Sequence, residues 1–198
     1  LINNFHYFYI MSSQFKKVFL IFIFLFLGTE IVKGWGFFGH QKINRLATFM
    51  LPPEMFGFFK SQIVFITEHA VDPDARRYAV EGEAPRHFID LDVYGDSAIY
   101  KMPHHWHDAV ELHTEDTLQE YGIVPWHIEV MRKRLIWAFK ERNPYKILKN
   151  AAEIGHYIAD SNVPLHTNEN YNGQMTNQKG IHGFWESRIP ELFAEDQN

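Results

Sequence analysis

The sequence predicts an all-α domain, and three observations carry that expectation. Apolar residues recur at helical spacing in segment after segment, Pro125 and Pro144 each stand just before such a segment, and nowhere does β-branched alternation run between hairpin turns. The 198 residues are 46% hydrophobic and 16% aromatic, enough to bury one sizeable core without covalent staples. Disorder, collagen-like repeats and low-complexity architecture are therefore excluded.

The elements follow in order. Lys16 and Lys17 precede an unbroken apolar run, Val18 to Leu27, and a polar stretch that ends at Gly34. Ten apolar residues fall short of a bilayer span, so residues 1–34 read as a secretory signal peptide cut before Trp35, with an uncleaved anchor as the alternative. Met11 is read as the start, which makes residues 1–10 an upstream extension. The location expected is secreted or periplasmic. Residues 35–198 show no internal repeat, no Gly/Ser-rich linker and no charge block, so they read as one domain. They hold 16 basic and 23 acidic residues.

A first helix is expected over His40–Met50, stopped by Pro52 and Pro53, and a strongly apolar second over Glu54–His69. Residues 70–86 read as polar loop and His87–Tyr94 as short ordered chain. Helices follow at 104–121, 126–141 and 145–160, then a loop over Asn162–Gly180 and a last helix from about Ile181.

The absence of cysteine rules out disulfides, a thiolate nucleophile and Cys-ligated zinc or iron–sulfur sites, leaving nitrogen and oxygen ligands for any metal. Twelve histidines make such a metal worth seeking. A formal net charge of −5 argues against a broad basic surface for nucleic acid, so a phosphate site must draw its positive charge from elsewhere.

The densest chemical signal is His156-Tyr-Ile-Ala-Asp160, followed by His166 just beyond Pro164. Positions i and i+4 share a helix face, so His156 and Asp160 can grip one cation while His166 returns from the loop. His182 and Glu186 repeat that spacing. Imidazole and carboxylate together suit zinc where no thiolate exists. Either pair alone reads more simply as an ordinary surface His–acid pair; the two pairs with His166 between them favour a metal.

In order along the chain, Trp35-Gly-Phe-Phe-Gly-His40, Asp72-Pro-Asp74, His87-Phe-Ile-Asp90, His156-x3-Asp160-x5-His166 and His182-x3-Glu186 resemble the motifs of the trinuclear zinc hydrolases. That superfamily comprises bacterial zinc-dependent phospholipase C and the single-strand-specific nucleases that also act as 3'-nucleotidases. The resemblance runs from Trp35 to Glu186 and implies a compact multi-helix domain with a zinc cluster at the base of a cleft.

It further implies three zinc ions. One takes Asp74, His87, His156 and Asp160. Asp160 bridges to a second, held by His40 and by the α-amine and carbonyl of Trp35; the third takes His166, His182 and Glu186. The Trp35 chelate requires a free amine, whose ordinary pKa near ~8 zinc would lower further. Both Asp72 and Asp74 could point inward from their loop. Asp74 fits better because it precedes Arg77 by three, as in the nuclease branch, where that arginine contacts phosphate.

The implied chemistry is hydrolysis of a phosphate ester by hydroxide generated on zinc, with Asp74 and Arg77 as catalytic residues. Three divalent ions would also attract a phosphate to an acidic protein. Phe88 and Asp90 match the base-stacking and base-edge residues of the nuclease branch; their bland readings are a core aromatic and a carboxylate behind a ligating histidine. The short loop between His166 and His182, and Glu186 where nucleases carry Asp, look like phospholipase C. The expectation leans to phospholipase C, with the nuclease/3'-nucleotidase as alternative. The partner expected is thus a phospholipid head group or single-stranded nucleic acid or nucleotide. No stable protein partner is implied, and membrane contact is implied only as a substrate surface.

His104, His105 and His107 read as solvated surface, His69, His113 and His127 as ordinary helix residues, and Phe56, Phe58, Phe59 and Phe65 as core. Asn168, Asn170 and Tyr171 could rim a cleft. Two other classes compete with the enzyme: a non-catalytic secreted zinc-binding protein and a membrane-anchored helix bundle. The chain stops soon after Glu186, which leaves a C-terminal truncation open.

Overall fold

The computed structural model describes residues 36–194, and all regular structure among them is helical. Helix α1 (Phe37–Phe49) begins three residues earlier than the periodicity predicts and buries Gly39, His40, Asn44 and Thr48, a mostly polar stripe. Polar groups on a buried stripe need partners. Asn44 meets that need by donating its amide to the carbonyls of Ala152 (2.9 Å) and Ile66 (3.4 Å).

The expected second helix is two, α2 (Pro53–Ser61) and α3 (Ile63–Glu68), broken at Gln62 where φ is −114° and ψ 22°. The β-branched pair Ile63–Val64 directly after the break favours helix only weakly. Residues 70–86 are not the loop expected. A short helix α4 (Asp72–Arg76) opens there on Pro73, with Asp72 and Asp74 in its first turn, where backbone N–H groups favour carboxylates. A 3-10 turn follows over Ala84–His87.

A short helix α5 spans Ala98–Lys101. The helix expected over 104–121 is divided into α6 (Trp106–His113) and α7 (Glu115–Tyr121) by Thr114, which adopts φ 66° and caps α7 by accepting from the Thr117 amide. The two longest helices among the described residues, α8 (Val124–Lys140) and α9 (Pro144–Ser161), pack against each other. Asn143 caps α9 by accepting from the Lys146 amide at 3.1 Å, and Pro144 occupies its first turn. The chain closes with α10 (Ile181–Gly183), a π-helical turn over Phe184–Arg188, and α11 (Ile189–Phe193). Among the described residues no helix is long and apolar enough to cross a membrane.

Two apolar clusters flank α9. Ile147, Leu148 and Ala152 join Phe59, Ile66 and Ala138 in one; Tyr157 joins Ile89, Leu118, Val124, Trp126 and Met131 in the other. Residues 148, 152, 156 and 160 succeed one another at four-residue spacing. The stripe that buries Leu148 and Ala152 therefore also carries His156 and Asp160 inside.

The contact between α1 and α9 depends on Gly155, since a Cβ there would stand 2.1 Å from Asn44 Oδ1. Asn44 is held by two backbone carbonyls and cannot yield freely. Gly155→Ala is expected to destabilise the fold by about 1–3 kcal/mol, the usual range for overpacking, read as a lower urea midpoint. A midpoint equal to that of the parent would remove this account of the helix contact.

Candidate metal centre

Seven elements bring the polar side chains together. Helix α1 supplies His40, α4 supplies Asp74, the 3-10 turn before Phe88 supplies His87, and α9 supplies His156 and Asp160. A 3-10 turn over Pro164–His166 and the last helical segments supply His166, His182 and Glu186. All except Asp74 are buried.

Asp160 lies at the middle, fully buried, with its two oxygens facing different histidines. Oδ2 is 2.9 Å from His87 Nδ1 and 3.2 Å from His156 Nε2, while Oδ1 is 3.3 Å from His40 Nε2. Asp74 approaches the same imidazoles from the rim, 3.7 Å from His156, 3.8 Å from His87 and 4.0 Å from His40. Asp72 instead pairs with His69 at 2.7 Å on a half-exposed surface, so geometry separates the two aspartates. In the remaining group His166 Nε2 stands 3.2 Å from both His182 Nε2 and Glu186 Oε1, and His182 Nε2 is 2.7 Å from Glu186 Oε2.

Backbone carbonyls decide which nitrogen of each ring faces inward. His156 Nδ1 lies 2.8 Å from the Ala70 carbonyl, His166 Nδ1 2.7 Å from that of His87, and His182 Nδ1 3.1 Å from that of Tyr171. A carbonyl only accepts, so each Nδ1 carries the hydrogen and each neutral ring aims the Nε2 lone pair at its neighbours. His166 and His182 thus converge lone pairs on one another beside a carboxylate. Such a convergence is repulsive until a cation or a proton enters it.

Unpaired atoms point the same way. Among the described residues eight buried side-chain polar atoms lack a hydrogen bond, and seven of them belong to His40, Asp74, His87, Asp160 and Glu186. A buried polar atom without a partner is costly, and bound cations would satisfy the inward-facing ones, His40 Nε2, Asp74 Oδ2, Asp160 Oδ1 and the Glu186 oxygens, while His87 Nε2 faces Glu83 instead. The residues can form three groups of donors, each within 4.8 Å: His40, Asp74 and His156; His87, His156 and Asp160; and His166, His182 and Glu186. These buried His/Asp/Glu clusters could bind a metal ion, and the donor set is all nitrogen and oxygen.

Protonation is strongly biased by the surroundings. Burial pushes the His40 and His87 imidazoles below their ordinary value. Burial does the same to His156 and His166, but Asp160 and Asp74 outweigh it at the former, and Glu186 and Asp160 at the latter, so both end raised. Asp160 is held well below the usual carboxylate range because His156, His40 and His87 overcome the effect of burial.

Glu83 is the residue that sequence reasoning missed. It is buried, accepts hydrogen bonds from Tyr157 and from Arg86 (2.6 Å) and Arg76 (3.3 Å), and stands 3.9 Å from the outer nitrogen of His87. Its position four residues before His87 was the available signal, hidden because the segment reads as loop. His127, expected as an ordinary helix residue, lies within α8 and is buried edge-on against Tyr157, where burial first, then Arg86, lowers its pKa to about 4.

The remaining expected residues take varied positions. Arg77 is half-buried beside α4 and near enough to His87 to depress its basicity. Phe88 is half-buried in extended chain against Gly122, whose φ is 93° and where a Cβ would stand 2.2 Å from the Phe88 carbonyl oxygen, leaving no room for a side chain. Asp90 is buried two residues on. The amides of Ile89 and Leu91 bond the carbonyls of His166 and Thr167, fixing this segment beside the third group. Trp35 lies outside the described residues; the adjacent Gly36 amide donates to the Glu186 carbonyl at 3.0 Å. His104, His105 and His107 are exposed. No protein-family model, curated protein or solved structure matches this chain.

Two outcomes are expected. Metal analysis of the purified chain should find bound divalent ions, and Glu186→Gln together with His182→Ala should lose part of the complement without unfolding; a parent that emerges from dialysis metal-free and is unmoved in Tm by added zinc would count against the site. Burial, followed by Asp92 and Glu169, raises Asp90 to about 6. A carboxyl whose folded pKa exceeds its unfolded ~3.9 adds stability at low pH that disappears as pH rises through about 6. Asp90→Asn should therefore flatten the decline between about pH 4 and 6, as followed by chemical denaturation across pH.

Proposed function

We propose that the chain is a zinc-dependent phosphoric ester hydrolase of the phospholipase C and single-strand nuclease type, with the phospholipase-like reading preferred. The observation that carries it is Asp160, one buried carboxylate with an oxygen toward each of two histidine sets, as a ligand between two ions requires. The motif order from His40 to Glu186 adds the family, and the all-helical architecture is compatible with it.

In this reading His87, His156, Asp160 and Asp74 hold one ion and His40 a second with the Trp35 terminus, which processing before that residue would free. His166, His182 and Glu186 hold the third. When bound, zinc supplies Lewis acidity and a water acidic enough to be deprotonated near neutral pH. Asp74, the most exposed carboxylate of the group although its side chain is only 7% exposed, would be placed to orient a water there and accept a proton. Arg77 supplies a fixed positive charge for a phosphoryl oxygen, and no carboxylate among the described residues pairs with it. The carbonyls of Ala70, His87 and Tyr171 keep the imidazoles oriented, and Glu83 stands behind His87.

Glu186 and the short loop before His182 favour the phospholipase-like branch. The specific observation favouring the nuclease is Phe88 with buried Asp90, whose carboxyl, raised to about 6, is ready to share a hydrogen bond with a base edge. The test is a hydrolysis panel of phosphatidylcholine, single-stranded DNA and 3'-nucleotides, with and without chelator. Chelation and His156→Ala should each abolish turnover, by at least about a hundredfold for lost ligation. Phe88→Ala should weaken only nucleotide substrates if the nuclease branch holds. Metal-loaded protein inert toward every ester would leave the non-catalytic zinc-binding protein as the better reading.

A further inference from the structure

Residues 132–149 hold seven lysines and arginines against one glutamate, in a chain whose formal net charge is −5. Interleaved apolar residues hide this block from a reading that looks for runs of like charge, and it corrects the expectation that the domain has none. It occupies the end of α8, the turn through Arg142 and the start of α9.

Three of the cations, Arg134, Lys140 and Arg142, pair with no carboxylate among the described residues. Arg134 donates to the Met131 sulfur, and Lys140 lies 6.0 Å over the Trp137 ring. Glu141 accepts from the Trp137 indole (2.6 Å) and Lys146 (2.7 Å), tying the two helices together at this end.

The apolar residues here are as unusual as the charges. Positions 133, 136, 137 and 140 form one stripe of α8, opposite the side that buries Met131 and Ala138. A stripe facing water should be polar throughout. Instead Ile136 is 40% and Trp137 61% exposed between Lys133 and Lys140, and Tyr145 is 63% exposed beside Lys146. A groove of about 560 Å³ runs from Trp137 and Ala138 to Lys146 and Asn150.

Lysine beside exposed tryptophan, tyrosine and isoleucine suits a lipid interface, which offers phosphates to the amines and a half-apolar layer to the rings. A polynucleotide would satisfy the amines and leave Ile136 in water, and the Trp137 face it would stack on has Lys140 over it. We propose that this end of the α8–α9 hairpin docks on an anionic phospholipid surface, with Lys140 on headgroup phosphates, Lys133 and Lys146 exchanging the exposed carboxylates of Glu129 and Glu141 for them, and Ile136, Trp137 and Tyr145 in the headgroup layer. The inference is independent of the metal centre.

The test is co-sedimentation of the full chain with vesicles of phosphatidylcholine alone and of phosphatidylcholine mixed with phosphatidylglycerol. Binding through the apolar residues 18–27 would be common to both, so the readout is the preference for phosphatidylglycerol. The parent should show a preference of roughly tenfold or more that declines with salt. Lys133→Glu with Lys140→Glu and Lys146→Glu should abolish that preference, and Trp137→Ala should weaken binding to the mixed vesicles. All four side chains are on the surface, and circular dichroism checks that each variant folds. A triple variant that keeps the preference would overturn the proposal. So would a Trp137→Ala protein that binds as the parent does, or a parent that retains single-stranded DNA but shows no lipid preference.

Discussion

Asp160 is the group on which the rest of the interior depends. A carboxylate with no solvent exposure carries a desolvation penalty of several kcal/mol that only close, oriented positive partners offset. Its partners are His40, His87 and His156, each neutral in its ordinary state at pH 7 and therefore able to offer only one N–H. His156 has already committed its hydrogen to Ala70. The centre is consequently short of positive charge, and a proton or a metal ion can supply it. The raised pKa values of His156 and His166 describe the proton solution; a metal would displace those protons, so acid and metal compete for the same atoms.

The surrounding fold is built to keep those atoms close without collapsing them. Gly155 and Asn44 set the approach of α1 and α9, and that approach stacks the His40 and His156 rings at 3.8 Å. On the opposite side Arg76 bridges Glu83 and Glu153, so α4, the segment leading to His87 and α9 are pinned by one guanidinium whose neighbours keep it protonated. Tyr157, directly after His156, closes that network through Glu83 while its ring packs in the apolar core. Ligand position and core packing are thus fixed by adjacent residues of one helix.

Much of this was legible in the sequence because it rests on local spacing. The four-residue interval of His156 and Asp160, and of His182 and Glu186, is a helix property that survives without knowledge of the tertiary fold. Helices α8 and α9 were readable within one or two residues from Pro125, Pro144 and their apolar stripes. What could not be read depends on distant contacts or on a single torsion. Thr114 at positive φ divides a helix that periodicity alone runs through. Glu153 is far in sequence from Arg76 and Glu83, and all three look like solvated charges. The choice of Asp74 over Asp72, which only the resemblance and its spacing to Arg77 favoured, rests physically on the direction of a one-turn helix whose two aspartates are equally good ligands in isolation.

The sign of the charge at the centre sets the condition for any role with phosphate. Asp74, Asp160 and Glu186 bring three carboxylates together, and protonation of both His156 and His166, the two imidazoles raised by their surroundings, would still leave the carboxylates in excess. Without metal, a phosphate ester approaching this interior would meet a negative field, and a low-dielectric surround would strengthen the repulsion. Three divalent ions would reverse it, leaving an excess of positive charge around atoms that cannot rearrange. On the proposed reading a metal-free chain should therefore fail at binding an anionic ester as well as at cleaving it, whereas a chain whose anion site needs no metal would still bind it. That separation distinguishes a centre whose metal creates the anion site from one in which Arg77 and the backbone suffice.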